Sequence, residues 1–174
     1  MARISPVVYE NASEAVREQF DDQVVKHGRI TNMKKTLLHS LPAFHALMEW
    51  YPLRDEVGRF IGDKGVNYFC YSISSQNDCL ICSTFFRRIL IEAGEDPDSP
   101  VFSEEEQVLV DFGRRCVTEP TRVDDELYSR LKKFYNDEQI VLLTAFAGLM
   151  IATNLINNAL QVDLDEYLVS YSRR

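Results

Sequence analysis

Residues 67–88 read NYFCYSISSQNDCLICSTFFRR and hold three of the four cysteines in the 174-residue chain. Asn77-Asp78 reads as a helix start, with either side chain able to cap the free backbone N–H groups of the next turn. Cys79 and Cys82 then stand three apart on that first turn, where they share a face. Upstream, Asn67, Tyr71, Ser74 and Ser75 recur at helical spacing on one face of a preceding helix. The stretch therefore reads as helix, tight turn, helix, with a dithiol at the second N-terminus. Partial positive charge there favours thiolate over thiol. One thiol could be activated while the other closes a disulfide onto it, which is the minimum equipment for dithiol redox chemistry.

Helical signals extend outward in both directions. Residues 1–10 look like an arm. Asn11 with Glu14 makes a capping box, and Ala15, Val16, Phe20 and Val24 form an apolar stripe that Gly28 ends. A second helix is expected from about Asn32 to Ser40, and a third from Pro42 to about Tyr51. The fourth runs from Val57 to Ser75, weakened near its start by Gly58, Gly62 and Gly65. The fifth covers Cys79 to Ala93, closed by Gly94. An acidic loop, residues 95–100, separates the halves. Ser103 with Glu106 opens a helix through about Val117, Asp124 to Tyr135 forms another, and Asn136 with Gln139 opens a last one. That helix, Ile140 to about Leu160, precedes a polar tail. Nothing alternates with period two. The expectation is a single all-α domain over residues 1–174, of seven or eight helices.

Composition narrows the function classes. The chain is 45% hydrophobic and 26% charged with a net charge of −8, and no basic run is present. Nucleic acid and anionic membrane surfaces are thereby argued against. The N-terminus shows no apolar signal region, so a reducing cytoplasm is expected, where Cys-x-x-Cys is more often catalytic or metal-binding than structural. One such pair with no His-x-x-x-His does not make a zinc site, and no glycine motif for a nucleotide cofactor is present. No cofactor and no metal are expected. Residues 140–160 carry no charge and span ~30 Å, the thickness of a bilayer core. Thr144, Thr153, Asn154, Asn157 and Asn158, with acidic flanks, argue instead for a helix buried on most sides. In a protein this small that burial calls for a partner chain, hence a homo-oligomer.

Cys79-x-x-Cys82 in an all-α chain resembles the AhpD-like family of alkylhydroperoxidases and carboxymuconolactone decarboxylases. Residues 32–51 (NMKKTLLHSLPAFHALMEWY) resemble the family segment before the core motif. The stretch FSEEEQVLV from Phe102 resembles its later helix start. DEQIVLLT from Asp137 and TNLINNAL from Thr153 resemble its last long helix. The resemblance covers about residues 30–165. It implies an AhpD-like helical bundle that assembles as a dimer, trimer or multiple, and reduction of small hydroperoxides by the paired cysteines, for which the expected electron source is a dithiol protein or a small thiol. It also implies that Cys82 attacks and Cys79 resolves, although spacing alone allows the reverse. The family places a Glu twelve residues before the first Cys and a His four after the second. Here those positions hold Asn67 and Phe86. The thiol pair is kept and its proton relay is replaced.

Cys79 and Cys82 are thus the candidate catalytic residues, with Asn67, Tyr71, Ser75 and Phe86 as candidate site-lining residues. Tyr71 or the serines could hydrogen-bond a thiolate. His39 and His45 reach the thiols only if the second and third helices pack over them, and His27 is farther away in sequence. Tyr68, Phe69, Tyr71, Phe85 and Phe86 are a core first and an apolar pocket second. Phe86 dries the site, which raises a thiol pKa. Cys70 and Cys116 read as core, Arg87-Arg88 as a solvated face or a counterweight to acidic surroundings. Asn154, Asn157 and Asn158 line an oligomer axis or satisfy one another. The alternative to an enzyme is a non-catalytic or redox-sensing oligomer with an apolar ligand pocket.

Overall fold

The computed structural model describes residues 2–173. Its helices are α1 (Glu14–His27), α2 (Asn32–Leu37), α3 (Leu41–Met48), α4 (Trp50–Gln76), α5 (Leu80–Glu92), α6 (Glu104–Thr118), α7 (Asp125–Phe134) and α8 (Asp137–Leu160). Short 3₁₀ segments lie at Tyr9–Asn11, Pro120–Arg122 and Glu166–Tyr171, and no strand occurs among the described residues. The all-α expectation holds, with eight α-helices.

Central α4 packs against α5, α6 and α8. It starts at Trp50 rather than Val57, and of its three glycines only Gly62 leaves helical geometry, at φ 68° and ψ 171°. A left-handed φ of that kind costs little for glycine and much for other residues. Gly113 of α6 serves a different end. A Cβ there would stand 2.7 Å from Ser72 Oγ and 3.1 Å from both Ile73 and Phe69. The missing side chain lets α6 lie directly on α4. One buried cluster unites Phe69 and Ile73 with Phe112, Leu131 and Phe146, so the 95–100 loop connects two parts of one core.

Local signals place most helix starts. Ser103 and Glu106 exchange the two bonds of a capping box, as do Asn136 and Gln139, and Asp124 accepts from the Leu127 N–H at 2.8 Å. The Asn11–Glu14 box does not form: the Asn11 N–H turns back to Val8 O at 3.1 Å in a 3₁₀ turn, and Ser13 becomes the N-cap. The second helix stops at Leu37 because the His39 and Ser40 N–H groups fold back on Thr36 and Leu37 carbonyls. Ser40 then accepts from the Ala43 N–H to start α3.

Segments near both ends of the described residues are tied down. Arg3 donates from its backbone N–H to Leu160 O and from its side chain to Ala159 O, each at 2.9 Å. The expected polar tail is a packed element instead. Leu168 is buried, the 166–171 segment lies on α5, and Asp165 Oδ1 accepts the Asn32 N–H at 2.9 Å. The last helix also departs from the expectation of burial on most sides. It is long and apolar enough to cross a membrane by length and composition, yet only 33% of its most apolar window is buried. Leu143, Phe146 and Met150 face the core, whereas Val141, Ala145, Gly148 and Leu155 form an exposed row at helical spacing.

Candidate functional site

The turn between α4 and α5 builds the thiol pair. Asn77 ends α4, Asp78 takes a left-handed φ of 49°, and Cys79 itself, not Asn77 or Asp78, is the N-cap of α5. The Cys79 N–H donates to Ser74 O at 2.9 Å and its carbonyl accepts from Ser83. This stitching fixes Cys79 at 1% exposure, with Cys82 one turn on at 5%. All four cysteines are free thiols.

Asn157, reaching in from α8, donates from Nδ2 to Cys82 Sγ at 3.1 Å and to Cys79 Sγ at 3.9 Å. The Cys79 thiol is held below its ordinary pKa, chiefly because the Cys82 thiol donates to it. The Cys82 and Ile81 N–H groups and the Asn157 amide act in the same direction, and burial opposes them. Cys82 is pushed well up, first by that same shared proton, then by burial and the charge on Cys79. The pair therefore gives up one proton readily and holds the second, as two coupled acids at a helix N-terminus should. Cys70 and Cys116 lack such partners and burial pushes both up, Cys116 to about 11.

Cys82 forms part of the wall of a cavity of about 490 Å³, alongside Trp50, Phe85, Phe86, Met150 and Asn157. Phe86, a candidate site-lining residue, is on this wall. Asn67, Tyr71 and Ser75 are absent from this wall. Tyr71 and Ser75 open instead on a smaller recess of about 170 Å³ with Asp78 and Arg87. Half-buried Asn67 lines neither. Their shared helix face looks to the other side of α5, a direction that helical spacing alone does not specify. Ser74 is fully buried and donates to Asn154 Oδ1 at 3.4 Å. Among the described residues, no group of three His, Cys, Asp or Glu side chains could hold a metal ion.

Histidine placement inverts the order of sequence distance. His39 bonds the Ser5 carbonyl through Nε2 at 2.8 Å, and His45 lies against Phe44. His27, farthest in sequence, lines the cavity and stacks on Tyr51 with ring centroids 4.5 Å apart. Asn154 and Asn157 are buried, while Asn158 is exposed. Asn154 meets Ser74, Asn157 meets the thiols, and Asn158 donates to Asn77 O at 3.0 Å. The arginines divide: Arg87 makes a bidentate pair with Asp98, while Arg88 pairs with Glu92 and borders the cavity. Lys34 of α2, with Arg29 just before that helix, also lines it. Neither was legible as a site residue, since each reads as an ordinary surface cation beside a helix start.

No family model matches the sequence. An uncharacterized protein of Escherichia coli (strain K12), YnjA, is 29% identical over 73 residues, covering 42% of this chain and 40% of that protein. Solved structures show the fold over nearly the whole chain. An uncharacterized peroxidase-related protein with an alkylhydroperoxidase AhpD core, from Ralstonia eutropha JMP134, superposes with a TM-score of 0.76 at 16% identity, covering 96% of this chain and 94% of that one. The debrominase Bmp8 gives 0.79 at 17% identity, with coverage of 97% and 95%. A cysteine-to-alanine variant of Bmp8 has been solved with 2,3,4-tribromopyrrole. The fold of this chain is AhpD-like.

Proposed function

We propose that the protein is a thiol-dependent oxidoreductase that reduces a small organic hydroperoxide in the cavity, oxidising Cys79 and Cys82 to a disulfide. The observation that carries this reading is a pair of buried thiols bonded by one amide, Asn157, with one of the two bordering a cavity of organic-substrate size. With Asn67 and Phe86 in place of a relay, the base nearest Cys82 is the Cys79 thiolate. Proton transfer to Cys79 leaves a Cys82 thiolate facing the cavity. Its sulfur attacks the hydroperoxide, forming a sulfenic acid and releasing the alcohol once the alkoxide takes up a proton. Cys79 sulfur then attacks Cys82 sulfur, and water leaves as the disulfide forms. Two electrons pass from the dithiol to the O–O bond. A dithiol reductant restores the pair by exchange.

Cumene hydroperoxide consumption, with dithiothreitol as reductant, tests this. The wild-type chain should turn over and accumulate an intramolecular disulfide when the reductant is omitted. Cys82→Ser should lose at least a hundredfold. Full activity in that variant would refute the mechanism. A slowly formed, stable disulfide without turnover would favour oxidation sensing instead.

A second substrate reading rests on the likeness to Bmp8 and on the aromatic lining of Trp50, Phe85 and Phe86. The same dithiol can supply two electrons for reductive debromination, giving the arene C–H, bromide, a proton and the disulfide. Bromide release from 2,3,4-tribromopyrrole separates it from peroxide reduction. The exposed row on α8 supports a homo-oligomer closed through that face. Leu155→Glu should then lower the mass found by light scattering.

A further inference from the structure

Five buried side-chain polar atoms among the described residues have no hydrogen-bond partner, and four belong to residues lining the cavity beside Cys82: Trp50 Nε1, Arg88 Nε, Asn157 Oδ1 and Asp165 Oδ2. Buried polar groups are rarely left unpaired, and each such group costs about 1–3 kcal/mol. Their concentration marks a place where a bound molecule completes the bonding. Between them the walls are apolar and soft, with Met33, Leu47 and Met150 beside the aromatic rings. Such walls adapt to a compact hydrophobic body.

Charge gives the second half of the argument. The chain carries a net −8, yet Arg29, Lys34 and Arg88 line this cavity against a single carboxylate, Asp165. Arg88 has Glu92 as a partner, and Arg29 lies over the Tyr167 ring. Lys34 is only 5% exposed and has no carboxylate within ion-pair distance among the described residues. Its ammonium donates to two neutral oxygens, Gln23 Oε1 at 2.5 Å and Tyr51 OH at 2.7 Å. An ammonium has three donors, so one N–H remains unmatched, and its charge is met only by the Tyr51 ring, 4.8 Å away, and by Asp22 from beyond ion-pair distance. A buried cation without a counter-ion is costly, and a bound anion offsets that cost.

We propose that the cavity takes an organic anion, a compact apolar or aromatic body whose acid group sits on the Lys34 ammonium while the body lies along the wall that carries Cys82. This deepens the oxidoreductase reading by naming a substrate class, and it rests on that reading for the cavity being the reactive site.

The pH behaviour of Lys34 sharpens the test. Burial pulls its pKa down to about 8, with Asp22 partly opposing. Around it stand Asp22 and His27 from α1 and Tyr51 from α4, with Arg29, Arg88, Asp165 and Tyr167 on the remaining walls. Burial and the Lys34 charge hold His27 below its ordinary value, and burial lifts Tyr51 to about 12, so neither changes charge between pH 7 and 9. Loss of an anion's affinity above pH 8 would therefore report Lys34.

Trp50 is the single tryptophan and sits in the cavity wall, which makes its fluorescence the readout. The protein should carry Cys79→Ser and Cys82→Ser together, so that neither thiol of the pair reacts or titrates. The probes are 4-tert-butylbenzoate and 4-tert-butylbenzamide, nearly equal in shape and different in charge. The acid should bind at least tenfold more tightly at pH 7 and lose that advantage as the pH rises past 8. Adding Lys34→Met should abolish the preference, and Lys34→Arg should keep it. Equal binding of acid and amide, no binding of either, or a preference that persists unchanged above pH 9 would overturn the proposal. The acid-to-amide ratio and its pH profile need no Lys34 variant, so they decide even if Lys34→Met does not fold. Because this protein lacks both thiols, a negative result here leaves the redox reading standing, and a failed turnover assay leaves this one standing.

Discussion

Two seams against α4 and α5 differ in what they leave unfilled. Where α6 meets α4, Gly113 brings backbone against Ser72, Ile73 and Phe69, and even one methyl group lacks room. Where α5 faces α2, α8 and the 166–171 segment, about 490 Å³ stays open and four buried polar atoms lack partners. The first seam is packed as interiors usually are. The second sacrifices packing and hydrogen bonding at the place where the thiols lie. Stability and chemistry are therefore separable in this molecule, and substitutions at the two seams should move different observables.

The largest expected effect on stability falls at the closed seam. Gly113→Ala should cost about 1–3 kcal/mol, the range for overpacking a filled core, read as a lower urea midpoint. The alkylation rate of the thiols should not change. If both fall together, the seams are coupled and the comparison fails. Asn157→Leu should do the reverse. It removes the amide that bonds both sulfurs, and the Cys79 alkylation profile should move to higher pH. The rate at pH 7 should drop roughly tenfold, from the ~1.5 kcal/mol of a hydrogen bond to a charged group. Because the substitution also deletes the unpartnered Oδ1, the melting temperature should hold or rise.

A smaller effect separates Cys70 from the reactive pair. Cys70→Ala empties a fully buried core position and should cost about 1 kcal/mol, in line with deletion of a small buried group. The peroxide consumption expected of the wild type should be retained. The last effect is a slope. Lys34 binds its proton less tightly in the folded chain, at about 8, than in the unfolded chain, at 10.5. Between those values the unfolded state holds more protons, so this group makes stability rise with pH. Wild type minus Lys34→Met, measured by urea unfolding from pH 8 to 10.5, should show that rise. A flat or falling difference would mean that the open seam does not hold its lysine under strain.

Much of the architecture was legible because it is local. Ser103 with Glu106 and Asn136 with Gln139 form the boxes their spacing announces. Apolar periodicity located the helices to within a few residues. Errors arose where a neighbouring turn competed for the same groups. Asn11 lost its cap role to a 3₁₀ turn, and Asp78 lost its own to Cys79 once the chain took a left-handed step there. The start of α4 was placed late because residues 50–51 were read as the end of the third helix, whereas α3 stops at Met48 and α4 begins at Trp50.

Residue types and short spacings alone determined an all-helical chain with a dithiol at a helix N-terminus, since capping, periodicity and the Cys-x-x-Cys interval involve groups within a turn or two of one another. Tertiary structure alone decided what surrounds the sulfurs. Asn157 is 75 residues from Cys82, and Lys34, His27 and Asp165 come from three other places in the chain. Tyr71 and Ser75, close in sequence, face away from them. A side chain's direction follows from how whole helices dock, which depends on the summed packing of many distant residues, and no local pattern encodes it.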